Sequence, residues 1–126
     1  MAAAQILVVE DNEKNMKLVR DVLEATGYRL LEATTGAQAV DLAAEHQPGL
    51  VLMDIRLPDM DGVQVLGRLR ADERTASIPV LAVTAQAMQG DRERFLAAGF
   101  DDYVAKPVDI DELVRSVGRH CRGGRE

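Results

Sequence analysis

The chain has 126 residues, 47% of them hydrophobic and 29% charged, which fits one globular domain able to bury its own core. A net charge of −6 disfavours a nucleic-acid-binding face, and no apolar run is long enough to span a membrane. Cys121 is the single cysteine, which excludes an internal disulfide framework and fits a reducing, cytoplasmic setting.

Read in order, the chain alternates short apolar runs with segments of helical period. Ile6–Val9 reads as a first strand. Asn12 can cap a helix that carries Met16, Val19, Val22 and Leu23 and stops at Gly27. Tyr28–Ala33 reads as a second strand, and Thr34 or Thr35 can cap a second helix, broken by Pro48-Gly49. Leu50–Asp54 is continuously apolar up to its last residue, the pattern of a strand covered on both faces. A loop over Pro58–Gly62 leads to a third helix at Val63–Arg70, and Pro79 opens a fourth strand. The fourth helix is expected from about Met88 to Ala98, ending at Gly99. Tyr103–Ala105 gives a fifth strand. Asp109 can cap a last helix with Ile110, Leu113, Val114 and Val117 on one stripe.

Five βα units in succession predict an α/β fold with a parallel sheet, whose strands all end on one edge. Open sheets of this kind place ligands at that edge. The strand ends deliver Glu10 and Asp11, Asp54, Thr84, and Lys106 followed by Pro107. Two unit charges about 4 Å apart at an effective dielectric of 20 repel by ~4 kcal/mol, so three clustered carboxylates require a raised pKa or a bound cation. Mg²⁺ suits them, since it takes oxygen ligands, retains water and binds carboxylates together with phosphate. Lys106, one of three lysines against twelve arginines, can pair first with Asp54 and then with a phosphoryl oxygen. Each residue also has a plainer reading: Asp11 or Asn12 as a helix cap, Asp54 and Thr84 as strand ends, Lys106 as a surface lysine. Tyr103, one of four aromatics, reads equally well as core packing. Asp59, Asp61, Asp101 and Asp102 read as turn and cap residues. His46 and His120 are expected at helix ends, in solvent. The basic residues Arg115, Arg119, Arg122 and Arg125 read as a frayed tail.

The stretches Val8-Val9-Glu10-Asp11-Asn12, Leu52-Met53-Asp54-Ile55-Arg56-Leu57-Pro58, Ala82-Val83-Thr84-Ala85 and Tyr103-Val104-Ala105-Lys106-Pro107, in this order, resemble the receiver domain of two-component response regulators. The resemblance covers essentially the whole chain. Glu10-Asp11-Asn12-Glu13, Asn15-Met16-Lys17-Leu18 and Ala87-Met88 before Gly90-Asp91 are similar to the single-domain DivK-like type. Receivers fused to hybrid sensor kinases share much of this wording.

The resemblance implies a flavodoxin-like, doubly wound (βα)5 fold with strand order 2-1-3-4-5. It also implies one receiver domain over 1–126 (core about 5–121) without an output domain. It implies that Asp54 accepts a phosphoryl group from a histidine kinase or a histidine phosphotransfer protein. Asp11, Asp54 and the backbone carbonyl of Arg56 then hold Mg²⁺, with Glu10 acting mainly through water. Thr84 and Lys106 hold the phosphoryl oxygens, and the Lys106–Pro107 bond is cis. Tyr103 turns inward as Thr84 moves, remodelling the face of the fourth helix, fifth strand and fifth helix for a downstream protein. Arg56 and Gln86 tune the lifetime of the acyl phosphate. Such a protein is a monomer or weak dimer, and it is not an enzyme beyond assisting its own phosphorylation and dephosphorylation. A Mg²⁺-dependent phosphatase with an aspartyl nucleophile is the rival reading, disfavoured because Asp54-Ile55-Arg56 lacks a carboxylate two residues on.

Overall fold

In the computed structural model, which describes residues 4–85 and 91–121, β1 (Gln5–Val9) is buried from its second residue onward. The chain then turns into α1 (Glu13–Ala25), which Asn12 caps by accepting the Asn15 amide at 3.1 Å. Past α1 the backbone reaches a φ of +100° at Gly27, where a Cβ would be strained. After β2 (Arg29–Ala33), Thr35 takes the cap of α2 (Gly36–His46), accepting the Gln38 amide at 3.1 Å. β3 (Leu50–Asp54) is buried throughout, as its unbroken apolar run requires.

Helix α3 (Gly62–Ala71) starts one residue before the expected Val63 because Asp61 closes a capping box with Gln64. β4 (Val80–Thr84), α4 (Asp91–Ala98), β5 (Asp102–Ala105) and α5 (Ile110–His120) complete the series. Asp109 caps α5 through the Glu112 amide at 3.0 Å. The expected start of the fourth helix near Met88, together with Gln86, Arg122 and Arg125, lies outside the described residues.

All four strand pairings are parallel and the order is β2-β1-β3-β4-β5, as expected. Strand side chains alternate between two cores. Ile6, Val8, Leu52 and Val104 face α1 and α5, where Met16, Leu23, Leu113 and Val117 meet them. Leu7, Val9, Val51 and Met53 pack on the other face with Ala39 and Ala43 of α2, Leu66 and Leu69 of α3, and Phe95 of α4. The order in which strands are added to the sheet reverses between β1 and β3, so the residues following those two strands flank the crevice where such sheets bind ligands.

Two polar ties hold the lower end of this frame. Arg70 Nη1 donates to the carbonyls of Ala76 (3.0 Å) and Ile78 (2.7 Å). Its Nη2 donates to the Gly99 carbonyl (3.3 Å) and to Asp101 Oδ2 (3.1 Å), which also accepts the Val80 amide (2.8 Å). The C-terminal end of α4 is thereby pinned to α3 and β4. The second tie corrects an expectation: His120 is not free in solvent. Its Nε2 lies 3.2 Å from Asp102 Oδ2, and Asp102 is a buried residue opening β5, not a turn residue. His46 is exposed, as expected.

The Arg70 fork depends on geometry that an ammonium lacks. We expect Arg70→Lys to lower stability by about 0.5–1.5 kcal/mol, the net range for an ordinary intramolecular hydrogen bond, since these contacts are part-buried or exposed. Urea melts test this, and an unchanged midpoint would show that the fork adds nothing.

Candidate functional site

The carboxyl ends of β1, β3, β4 and β5 surround a cleft of about 520 Å³ whose walls include Glu10, Asp11, Asp54, Arg56, Thr84 and Lys106. Glu10 follows β1 and Asp54 ends β3, and these strands are direct neighbours, with Val9 paired to Met53. The sheet therefore forces the two carboxylates together. Carboxylate oxygens of Glu10, Asp11 and Asp54 all lie within 4.8 Å of one another. Glu10 and Asp54 are buried and Asp11 is exposed.

Lys106 compensates part of this charge. Its Nζ stands 3.2 Å from Glu10 Oε1 and 3.2 Å from Asp54 Oδ2. The remaining oxygens are also used: Glu10 Oε2 accepts the Asn12 amide at 3.1 Å, and Asp54 Oδ1 accepts the Arg56 amide at 3.1 Å. Burial pushes the Glu10 carboxyl above its ordinary value, and the Asp54 charge adds to this against the pull of Asn12 and Lys106. Burial works against the Lys106 ammonium, but Asp54 and Glu10 outweigh it and its pKa rises. Three carboxylates against one ammonium leave the cleft two negative charges in excess if all are ionised. An all-oxygen donor set of that charge, open on the Asp11 side, fits a divalent cation that keeps part of its water.

The other expected residues are placed as follows. Thr84 is buried at the end of β4, beside Lys106, whose amide donates to the Thr84 carbonyl at 2.8 Å. The Lys106–Pro107 peptide is cis. Tyr103 does not reach the cleft. It is half-buried on β5 against the core of the α2–α4 face, its ring 5.9 Å from that of Phe95. Asn12 and Asn15 also line the cleft. Asn15 was not among the expected site residues, although its position one helical turn past Asn12 was the available clue.

Residues 6–118 match the model of the response regulator receiver domain. The chain belongs to the receiver domain family. This receiver is 46% identical over 112 residues to the polar-differentiation response regulator DivK of Brucella ovis, spanning 89% of the chain and 91% of that protein. The receiver domain of the sensor histidine kinase PA1611 from Pseudomonas aeruginosa, solved with magnesium coordinated in its active-site cleft, is 42% identical. That match has a TM-score of 0.86 and covers 94% of this chain and 98% of the other. A chain of the co-crystal structure of the Saccharomyces cerevisiae histidine phosphotransfer protein Ypd1 with the receiver domain of Ssk1 aligns with a TM-score of 0.86 at 25% identity. It covers 95% of this receiver and 90% of that chain. Membership carries the phosphorelay assignment.

The raised pKa of Glu10 fixes a sign. A carboxyl whose folded pKa lies above its unfolded value adds no penalty below the ordinary glutamate range, and the penalty grows as pH rises from that range to the folded value and is complete above it. In EDTA at neutral pH we expect Glu10→Gln to be more stable than the parent, by an amount on the order of 1 kcal/mol after screening. The advantage should vanish on acidification below the glutamate range, and Mg²⁺ should reverse it by stabilising the parent through mass action. Paired denaturant melts at two pH values check this. A variant less stable than the parent in EDTA at neutral pH contradicts the crowding of charge.

Proposed function

We propose that this receiver is the cytoplasmic phosphoryl acceptor of a phosphorelay and that Asp54 is the residue modified. The observation that carries the reading is the Lys106 ammonium, 3.2 Å from both Asp54 and Glu10, with Asp11 completing a carboxylate cluster in an open cleft. In the transfer, an Asp54 oxygen forms a bond to phosphorus as the P–N bond of a donor phosphohistidine breaks, and the imidazole leaves with the electron pair. Such a transfer needs in-line placement and charge cancellation, with little covalent work from the protein. Asp11, Asp54 and the Arg56 main-chain carbonyl hold Mg²⁺, with Glu10 behind them through water. Bound Mg²⁺ supplies neutralisation of charge on the equatorial oxygens. Lys106 exchanges its Asp54 partner for a phosphoryl oxygen, and the Thr84 hydroxyl donates to another. The same groups serve the hydrolysis that resets the protein.

Output follows through proteins and not DNA. Thr84 and Tyr103 lie on neighbouring strands, one beside the cleft and the other against Phe95 of α4. A phosphoryl group of nearly −2 charge on Asp54 draws Thr84 toward it and lets Tyr103 move inward, changing the α4–β5–α5 face. The donor is a histidine kinase or a histidine phosphotransfer protein. The kinase-borne receiver of PA1611 at 42% identity keeps a second setting in view, a receiver within a hybrid kinase, and the chemistry at Asp54 is the same there.

Incubation with acetyl phosphate and Mg²⁺ should add one phosphoryl mass that hydroxylamine removes. The assignment is falsified if Asp54→Asn takes up phosphate at the parent rate. For the output face, hydrogen exchange on beryllofluoride-treated protein should change across 91–98 and 103–117. Unchanged protection there rejects this face, and specific DNA binding at about 0.15 M salt rejects protein-only output.

A further inference from the structure

The loop from Ile55 to Asp61 carries Arg56, whose main-chain carbonyl is assigned above to the metal, and the loop is closed at its base. The Gly62 amide donates to the Ile55 carbonyl at 2.7 Å, Arg56 forms an antiparallel bridge with Asp61, and the Arg56 amide donates to Asp54 Oδ1 at 3.1 Å. These contacts tie the two ends of the loop together, so its seat on the rest of the fold bears on where the Arg56 carbonyl stands relative to Asp54.

That seat is the N-terminus of α2. Asp59 Oδ1 accepts the Gly36 amide at 2.7 Å and Oδ2 accepts the Ala37 amide at 3.0 Å. These amides hold the Asp59 carboxyl below its ordinary value, Gly36 more than Ala37, although the side chain lies at an exposed loop tip. α2 already has its own cap, since Thr35 takes the Gln38 amide. Asp59 therefore uses both oxygens on a helix 22–23 residues away that is separately capped. The contact is close as well as polar. A Cβ on residue 36 would come 2.5 Å from Met60 Cγ and 2.8 Å from Val65 Cγ2, so glycine lets the loop and α3 rest directly on the helix end.

We propose that Asp59 is a positioning residue for the metal site: its two-amide clamp on α2 holds the acceptor loop, and with it the Arg56 carbonyl, in register with Asp54. The inference rests on the metal assignment made under Proposed function. Asp59 itself touches neither metal nor phosphoryl group. A carboxylate suits the task because both of its oxygens accept, and negative charge is favoured at a helix N-terminus.

The test is isothermal titration of Mg²⁺ into the full chain, comparing parent, Asp59→Ala, Thr35→Ala and Asp11→Ala, with urea melts alongside. Thr35→Ala weakens the cap of the same helix without touching the loop, so it reports what loosening α2 does alone. We expect Asp59→Ala to weaken Mg²⁺ about tenfold, the low end for removing an outer support of a metal site. Thr35→Ala should stay within about twofold of the parent despite a lower urea midpoint. If Asp59→Ala fails to fold, Asp59→Asn serves the same comparison. It keeps one acceptor and sets an NH₂ group against the other amide, and it too should weaken Mg²⁺ about tenfold, the low end for an outer support. Unchanged affinity in the Asp59 variants, or an equal loss in Thr35→Ala, overturns the positioning role. Loss of Mg²⁺ binding in Asp11→Ala with unchanged Asp59→Ala rejects this role alone. Retained binding in Asp11→Ala rejects the metal assignment itself.

Discussion

Packing Glu10, Asp11 and Asp54 within 4.8 Å of one another is electrostatically unfavourable, and Lys106, at 3.2 Å from two of them, is the side chain that makes it tolerable. At an effective dielectric of 20, like charges about 4 Å apart repel by ~4 kcal/mol, and one ammonium cannot cancel three carboxylates. The residual charge is the functional asset. It suits a divalent cation, and on the reading proposed above it leaves Lys106 held by partners that it would partly abandon when a phosphoryl group arrives. A neutral or fully paired cleft would be more stable and would have no reason to bind either.

Holding such a cluster open demands rigid support on several sides. Pairing of β1 with β3 brings Glu10 beside Asp54, and pairing of β4 with β5 sets Thr84 beside Lys106. Both faces of the sheet are filled, so the strand ends cannot retreat from one another without opening a core. The loops needed their own fastening. Asn12 and Arg56 turn their amides back onto Glu10 and Asp54, and Asp59 and Gly36 seat the acceptor loop on α2. At the opposite end, the Arg70 fork holds the end of α4 and the His120–Asp102 pair holds the C-terminal end of α5 against the start of β5.

What the sequence made legible follows from what is periodic or local. The apolar runs, their abrupt stops at Asp54 and Thr84, and the caps Asn12 and Asp109 lie within a few residues of the elements they define, so strands, helices and cleft residues could be placed. The choice between Thr34 and Thr35 is not local to the sequence, because both offer a hydroxyl and only the folded backbone decides which faces the Gln38 amide. The polar ties were invisible for a different reason. Arg70 and Asp101 are 31 residues apart, Asp59 and Gly36 are 23 apart, and His120 and Asp102 are 18 apart. A polar residue that reaches a distant partner breaks no pattern and resembles any surface residue. His120 was misread as solvated on that ground: its position on the last turn of α5 suggested exposure, and only the packing of α5 against β5 reveals a buried carboxylate beneath it.

If phosphorylation of Asp54 acts through Thr84 and Lys106 as proposed, the geometry also limits how complete the switch can be. Shifting a two-state element from 1:99 to 99:1 takes about 5.5 kcal/mol of differential stabilisation. A single hydroxyl bond from Thr84 is worth roughly 1 kcal/mol net, and a charge-assisted bond from Lys106 roughly 1.5–3 kcal/mol before the loss of its present partners is counted. Those partners, Glu10 and Asp54, are already at 3.2 Å. The gain on phosphorylation is thus a difference between two well-satisfied arrangements and falls short of a full switch. Anchoring of α4 through Gly99 and of α5 through His120 restricts the motion further, confining change to the ends nearest the cleft. On the proposed reading, the remaining free energy would come from a partner that prefers the altered face. By linkage, that partner must then raise the stability of the phosphorylated form by the same factor as phosphorylation raises its affinity.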